Sequence, residues 1–354
     1  MNISQRELQN AVKAALGING PASPYKVTEF HKGLNFKTRM VTMPSGTTLG
    51  IKKPRQTLLS THLPHRFLGT LLVEDQMAQE QSALQAVRSH GVCLVTTEPG
   101  RKPKLSWLPS LASPLLRMCL VYEFRGDLHS LKQLLARNED LQSVTRPERV
   151  YLGHIARALA TRHAKKPRVR GRQRVEFYNM TLTHLLEFAG GFMLNGRKSF
   201  FLGPRRTDRL TLLIIRTLRK WLDHGERIGM LVGDLQPGNI LLNAEDNDVL
   251  FIDLSRFPWG EARGFDVGWL MAEFLWDHCR TGNPRHRKIG SSFLVAYEQA
   301  SGDTRLREAL LIGLGIKALV LLRLPPNKTA MSQRRLRRFY SKVLSLLQRG
   351  RFTW

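Results

Sequence analysis

Three oxygen-bearing side chains lie near each other in one stretch of the chain. Asp234 and Asn239 are five residues apart around a Pro-Gly turn, and two short apolar segments then lead to Asp253. If the apolar segments 240–242 and 249–252 pair as a β-hairpin, its two ends bring these side chains together. Carboxylate and amide oxygens suit Mg²⁺, which takes few protein ligands and binds substrate phosphates as well. Because a carboxylate near such a metal can accept the proton of an attacking hydroxyl, the pattern predicts phosphoryl transfer.

The motif around these residues resembles that of a large superfamily. GDLQPGNILL, followed by FIDLSRF, resembles the catalytic loop and metal-binding strand of the protein-kinase-like superfamily. The resemblance is to the aminoglycoside/choline phosphotransferase branch, together with the lipopolysaccharide-core sugar kinases. It implies that Asp234 is the catalytic base and that Asn239 and Asp253 are Mg²⁺ ligands. GFDVGWLMAEFL also resembles that branch and implies a structural role for Asp266, which leads a helix packed beneath the loop.

Upstream segments resemble the nucleotide site of the same superfamily and follow in the expected order. HKGLNFKTRMV resembles the shortened nucleotide loop, which implies that Gly33 and Asn35 lie near the phosphates. Lys52 in GIKK matches the Lys that pairs with the α/β-phosphates, and Glu80 in EQSALQAV matches the helix Glu that orients this Lys. Two alternatives stay open: Gly33 as a plain hairpin turn residue, and Lys53 in place of Lys52.

The segment VYEFRGD resembles the hinge of these kinases. The resemblance implies that backbone groups near Glu123 and Phe124 hold adenine, so the expected cofactors are ATP and Mg²⁺. The motifs together cover about residues 25–275. The chain departs from the pattern at Val232, where the superfamily usually has a His two residues before the catalytic Asp. The insert at 165–205 resembles no segment of those kinases that we can place.

The charge of the chain restricts its partners. Its 354 residues contain 55 Lys+Arg against 28 Asp+Glu, a net charge of +27, which favours phosphate-rich or otherwise anionic partners. Residues 165–174 contain six basic residues and no acidic one, and the last 46 residues contain no Asp or Glu. Within them SQRRLRRFYSKVLSLLQRG predicts a basic amphipathic helix suited to an anionic membrane. Nucleic acid is the weaker candidate.

Composition excludes several other classes of protein. An apolar fraction of 42% with 23% charged residues is typical of a folded chain and excludes wholesale disorder. Three dispersed cysteines without a CxxC pair argue against a disulfide framework or a zinc site. The longest apolar run, 310–322, is too short to span a membrane and contains Lys317. We therefore expect a cytoplasmic protein, at most peripheral at the inner face of the membrane.

The pattern of turns and apolar spacing predicts an α+β protein. The resemblance implies a two-lobed protein-kinase-like fold, with a small antiparallel-sheet N-lobe and a larger, mainly helical C-lobe. Helical spacing is expected at 1–20, 74–90 and 150–164, and strands at the start of the N-lobe. The predicted organisation is an N-terminal helical extension (1–24), an N-lobe (25–122), a C-lobe with the basic insert and the catalytic loop 232–254 (123–300), and basic C-terminal helices (301–354).

The sequence therefore predicts an ATP-dependent phosphotransferase. Its acceptor would be a hydroxyl of a small molecule or of an envelope sugar or glycolipid, as in the lipopolysaccharide-core enzymes, because a charge of +27 disfavours polycationic aminoglycosides. A protein Ser/Thr kinase is one alternative, but the path from Asp253 to Asp266 is short for an activation segment. The other alternative is a catalytically silent kinase-like module that binds membrane or nucleic acid through its basic segments.

Overall fold

The computed structural model describes twelve segments of the chain. These are residues 26–32, 36–42, 48–54, 94–96, 118–123, 128–165, 203–222, 229–243, 249–252, 259–260, 262–323 and 330–354. The chain divides into two compact units, Met1–Asp127 and Leu128–Trp354. The predicted helices at 1–20 and 74–90 and most of the basic insert lie outside the described residues.

The first unit contains a five-stranded antiparallel sheet in the order β1-β2-β3-β5-β4. Its strands contain the β-branched and aromatic residues that suit a pleated sheet, which confirms the predicted antiparallel pairing at the start of this unit. Lys52 lies in β3, where it is paired with Thr38 of β2 and Leu120 of β5. The strands are β1 (Lys26–Lys32), β2 (Phe36–Thr42), β3 (Thr48–Pro54), β4 (Leu94–Thr96) and β5 (Met118–Glu123).

The second unit is mainly helical in the part that the structure describes, as the sequence predicts. Its helices are α1 (Leu131–Ala136), α2 (Arg146–Ala164), α3 (Pro204–Leu222), α4 (Ala262–Thr281), α5 (Pro284–Ser301), α6 (Leu306–Ala309), α7 (Leu311–Arg323) and α8 (Ala330–Arg349). The predicted helix at 150–164 is confirmed but begins earlier, because Thr145 and Glu148 form a reciprocal capping box at its start.

Short strands position the predicted catalytic loop. A three-stranded sheet has the order β6-β8-β9, and β7 pairs with β10. These strands are β6 (His129–Ser130), β7 (Gly229–Met230), β8 (Ile240–Leu242), β9 (Val249–Phe251) and β10 (Trp259–Gly260). The predicted hairpin is confirmed, since β8 and β9 are antiparallel with Ile240 opposite Phe251. A single 3-10 turn, Pro237–Asn239, precedes β8.

The core of the second unit centres on the crossing of α4 and α7, whose backbones approach closely at glycines. A Cβ atom at Gly268 would overlap the carbonyl oxygen of Leu310, and one at Gly313 would overlap the carbonyl oxygen of Phe265. Larger residues would separate the two helices, so the close approach depends on these glycines. The crossing places side chains of α7 directly beside those of α4.

The predicted basic amphipathic helix near the C-terminus is confirmed as α8. Its apolar residues, including Phe339, Val343 and Leu346, are buried against the rest of the unit, whereas Arg337 and Arg338 are exposed. The apolar face of α8 therefore belongs to the protein core and only its basic face meets solvent. Among the described residues, none of the helices has the length and apolar character needed to cross a bilayer.

Candidate active site

The loop between β7 and β8 is held in place by buried apolar residues. Leu231, Val232 and Leu235 are all buried. Their packing fixes the backbone of the loop and therefore the positions of the polar residues between and after them. Gly233 has a φ of 93°, a backbone conformation that side chains with a Cβ rarely adopt. This glycine turns the chain immediately before Asp234, and a substitution there would strain the loop.

Asp266 of α4 fixes the backbone of this loop from beneath. Its side chain is 0% exposed, with Oδ2 accepting a hydrogen bond from the Val232 N–H at 2.6 Å and Oδ1 accepting one from the Gly233 N–H at 2.7 Å. Two short hydrogen bonds to an ionised carboxylate form a strong, charge-assisted pair. Asp266 therefore has the structural role expected of it, and the residue at position 232 contributes its backbone to this contact.

A histidine that sequence reasoning did not single out completes the support of Asp266. Nε2 of His163, at the end of α2, lies 3.0 Å from Asp266 Oδ2, and Nδ1 lies 2.6 Å from the hydroxyl of Tyr297. Complete burial lowers the pKa of His163, and the neighbouring Asp266 opposes this shift only in part. Because a carboxylate can only accept, Nε2–H donates to Asp266 and Nδ1 accepts from Tyr297. Arg162 adds two bonds to the carbonyl oxygen of Leu231, at 3.1 and 2.8 Å.

Asp234 is oriented by hydrogen bonds, as Asp266 is, but its side chain remains partly exposed. Oδ1 accepts a hydrogen bond from Trp269 Nε1 at 2.9 Å, and Oδ2 accepts from Gln236 Nε2 at 3.1 Å and from Asn239 Nδ2 at 3.2 Å. The side chain nevertheless remains 42% exposed. The carboxylate is thus oriented by three donors and can still be reached by a molecule from solvent.

Asn239 is oriented in a way that suits a metal ligand. It is buried, and Nδ2 donates to both the backbone oxygen of Asp234, at 2.9 Å, and Oδ2 of the same residue. With both N–H groups directed at Asp234, Oδ1 is the atom that can bind a cation. An amide oxygen next to a carboxylate is a donor set that fits Mg²⁺. The backbone oxygen of Asn239 accepts from the N–H of Ile252, the residue that precedes Asp253 in sequence.

A buried ammonium group lies beside Asp234. Nζ of Lys317, on α7, is 2.8 Å from Glu273 Oε1 and 3.8 Å from Asp234 Oδ1, and its side chain is 6% exposed. Nζ also lies 4.6 Å from the ring centroid of Trp269. Sequence reasoning used Lys317 only as evidence against a membrane span. The sequence did offer a signal, since Lys317 is a single charge inside an apolar run. Such a run packs in the core, and a lysine buried there needs a partner of opposite charge.

The structure brings together two of the predicted site residues, Asp234 and Asn239. Lys52 and Glu123 lie in strands of the first unit, where only their backbone is described. The other predicted site residues lie outside the described residues; these are Gly33, Asn35, Glu80, Phe124 and Asp253. The functional roles of all of them remain predictions.

Comparison with solved structures identifies the fold. A choline kinase from Cryptosporidium parvum matches with a TM-score of 0.55 over 97% of both chains, at 14% sequence identity. An ethanolamine kinase from Plasmodium vivax matches with a TM-score of 0.52 over 90% of this chain and 81% of the other, at 13% identity. The chain has the protein-kinase-like fold. It takes the α+β form of these small-molecule kinases, as the sequence resemblance predicted.

A bacterial structure agrees with this assignment. A choline kinase from Streptococcus pneumoniae matches with a TM-score of 0.51 over 92% of this chain and 93% of the other, at 12% identity. No protein-family model and no curated protein matches the sequence. At such low identities the likeness establishes the fold, and any activity must be argued from the residues of this chain.

Proposed function

We propose that the protein is an ATP-dependent phosphotransferase that moves the γ-phosphate to a hydroxyl group. The observation that supports this most directly is the geometry of Asp234. Three donors orient its carboxylate, yet its side chain is 42% exposed, and Asn239 beside it directs its N–H groups inward. A general base must be oriented and also reachable by the proton that it accepts. Within a kinase-like fold, this arrangement suits hydroxyl activation.

The catalytic loop would contribute proton transfer and metal binding. Asp234 would accept the proton of the acceptor hydroxyl as that oxygen bonds to the γ-phosphorus, while the bond from the γ-phosphorus to the β–γ bridging oxygen breaks and ADP leaves. Asn239 and Asp253 would hold Mg²⁺, which supplies charge neutralisation on the phosphates when it is bound. The two backbone N–H groups held by Asp266 keep the loop in the same position throughout, so Asp266 is a positioning residue.

The nucleotide would be bound by the first unit, as the sequence resemblance implies. Lys52 would hold the α/β-phosphates, and Glu80 would orient this Lys. Gly33 and Asn35 would lie near the phosphates. Backbone groups near the end of β5, at Glu123 and Phe124, would hold adenine. These assignments follow from the matching motifs, with ATP as the expected cofactor.

The acceptor we propose is anionic, with a hydroxyl of an envelope sugar of the lipopolysaccharide-core type as the first candidate. A net charge of +27 attracts a phosphorylated sugar or glycolipid and repels a polycation. A small soluble alcohol or sugar is the second candidate, since solved structures of similar fold include kinases of small alcohols, choline and ethanolamine. Among such alcohols, a neutral or anionic one fits the net charge better than a cationic one.

We also propose peripheral contact of the cytoplasmic protein with an anionic membrane. Because the apolar face of α8 is buried, its exposed arginines would make this contact by charge alone. Helix α3 packs beside α8, with the Tyr340 hydroxyl donating to the carbonyl oxygen of Arg206. Helix α3 also exposes Leu212 and Ile215 among further arginines.

Paired Arg337→Glu and Arg338→Glu substitutions should weaken sedimentation of the protein with anionic vesicles but not with neutral ones. Equal binding by the variant would contradict the contact.

A phosphate-transfer screen tests the proposed reaction. Purified protein is incubated with Mg-ATP and hydroxyl acceptors, including lipopolysaccharide-core fragments and choline-like alcohols, and products are detected by mass spectrometry. Asp234→Asn should lower the rate by about 10²–10⁴-fold, because proton transfer by a general base is typically worth that much. Asp253→Asn should also lower it, through loss of the metal.

The matched control for this screen is Asp277→Asn on α4. Asp277 is a partly exposed carboxylate that pairs with Arg280 at the surface, 3.1 Å away, so its loss should leave the rate unchanged. A folded wild-type protein without ATP turnover would instead support the silent-module alternative. Activity in Asp234→Asn equal to that of the wild type would refute the assigned base.

A further inference from the structure

The buried ammonium of Lys317 occupies a site that has the chemistry of a cation pocket. Two carboxylates, from Glu273 and Asp234, lie 2.8 and 3.8 Å from Nζ, and the ring of Trp269 lies 4.6 Å away. Carboxylates together with an aromatic face are the groups that bind an organic ammonium ion. Here the ammonium belongs to the chain itself, and it lies directly beside the proposed catalytic base.

We propose that Lys317 determines acceptor specificity by filling this cation site from within. Acceptors that have a positive charge next to the reacting hydroxyl are then excluded, and the enzyme uses acceptors that are neutral or anionic there. This inference rests on the proposed phosphotransferase function, because it assumes that the acceptor hydroxyl meets Asp234. Lys317 would thus exclude cationic acceptors locally, in addition to the repulsion that the net charge of +27 exerts on them.

The distance from Asp234 to Nζ of Lys317 restricts the exclusion to positive charges close to the reacting hydroxyl. A hydroxyl that gives its proton to Asp234 must lie within about 3.2 Å of the carboxylate. Since Nζ is 3.8 Å from Oδ1, a hydroxyl that binds Oδ1 lies within about 7 Å of the ammonium of Lys317. Solvent screens charges weakly at this depth, because the Lys317 side chain is 6% exposed. An acceptor ammonium would meet a like charge where it would otherwise find two carboxylates.

The fold holds Lys317 in this position through the crossing of α4 and α7. Trp269 and Glu273 are four residues apart on α4 and therefore share one face of that helix. Lys317 lies on α7, whose backbone approaches α4 closely enough that a Cβ on Gly313 would overlap the carbonyl oxygen of Phe265. Its ammonium thus reaches both Glu273 and the indole ring without leaving the core.

Binding of two matched alcohols tests this role without ATP. The probes are choline and neohexyl alcohol, in which carbon replaces the positively charged nitrogen, and their dissociation constants are measured by ligand-observed NMR. Lys317→Gln keeps a polar side chain but removes the positive charge that lies beside Glu273 and Asp234. Choline should bind this variant at least about tenfold more tightly than it binds the wild type, while binding of neohexyl alcohol stays within about twofold.

The control is Lys288→Gln, which removes an exposed lysine from α5 and should change neither dissociation constant. No gain of choline binding in folded Lys317→Gln would overturn the proposal. If that variant does not fold, Lys317→Met, whose apolar side chain suits the buried position, replaces it: a gain of about tenfold in choline binding over the wild type supports the proposal, and no gain overturns it. Since the assay contains no nucleotide, absence of phosphate transfer would refute the proposed function without affecting this result.

Discussion

Two aspartates, one within the catalytic loop and one on α4 that binds the loop backbone, show how the same type of side chain serves two purposes. Asp266 is fully buried and accepts hydrogen bonds from two backbone N–H groups and from His163. Asp234 is 42% exposed and accepts hydrogen bonds from the side chains of Trp269, Gln236 and Asn239. The contacts of Asp266 in the described part of the chain thus hold the loop in place, whereas Asp234 is oriented and left accessible. Exposure, more than the number of hydrogen bonds, distinguishes the proposed reactive carboxylate from the structural one.

The largest expected difference between the two aspartates is in stability. Asp266→Ala leaves two buried backbone N–H groups and His163 without their acceptor, and loss of one partner of a buried ionic network typically costs about 3–5 kcal/mol. Asp234→Asn should cost only about 1 kcal/mol: Asn can still accept from Trp269, and although its NH2 group cannot accept from Gln236 and Asn239, the side chain is partly exposed and water can replace those bonds. Urea unfolding followed by circular dichroism measures both. Equal losses in the two variants would show that the distinction is wrong.

A smaller effect is expected at the helix crossing that supports both aspartates. Gly268→Ala forces a Cβ into the carbonyl oxygen of Leu310, and such overpacking typically costs about 1–3 kcal/mol. It should also move Lys317 away from Glu273, so choline binding should rise, but by less than in Lys317→Gln, because the ammonium remains.

Gly153→Ala is the matched control for the crossing. A Cβ at Gly153, in α2, would lie 3.7 Å from the Arg157 guanidinium, which is ordinary van der Waals contact. Because Ala favours a helix over Gly by roughly 0.5–1 kcal/mol, this variant should be neutral or slightly more stable in the same unfolding measurement. A loss at Gly153 as large as that at Gly268 would contradict the role given to the crossing.

The smallest effect concerns the pH dependence of stability at His163. Burial holds the pKa of His163 in the folded protein below its ordinary value of 6.5, with Arg162 and Arg263 acting in the same direction and Asp266 opposing them. Between the folded pKa and 6.5 the unfolded chain binds more protons, so this residue's contribution to stability is complete above pH 6.5 and falls as the pH is lowered.

The variant His163→Gln isolates this contribution. Gln can still donate to Asp266 but does not titrate, so its free energy of unfolding should fall less steeply with acid than that of the wild type. The difference in slope should be at most about 1.4 kcal/mol per pH unit. His286, whose pKa burial also lowers, is common to both proteins and cancels in the comparison. Parallel pH profiles would indicate that His163 does not titrate in this window.

Local patterns were sufficient for the parts of the fold whose contacts are near in sequence. The β8–β9 hairpin was predicted because its apolar segments and the Pro-Gly turn lie within a few residues of each other. Asp234 and Asn239 were predicted together for the same reason, since a loop of five residues limits how far they can separate. The helix containing 150–164 was also predicted from its apolar spacing, and only its start was missed.

Contacts between distant segments could not be predicted in this way. The amphipathic pattern of α8 was correct, but its apolar face is covered by the core and is not available to insert into a membrane. His163 and Tyr297 support Asp266 from helices that the sequence does not place beside it. A pattern shows that a face is apolar or that a charge is isolated, but not which surface or partner meets it.

The sequence by itself determined the β8–β9 hairpin, the helices α2 and α8, the catalytic-loop motif and the adjacency of Asp234 and Asn239, because these depend on spacing along short segments. Only the tertiary structure decided which carboxylate is buried and that the ammonium of Lys317 lies against Asp234 and Glu273. The reason is physical: burial and the pairing of buried charges depend on helices that pack from remote parts of the chain. Here the close crossing of α4 and α7 brings that lysine to the site.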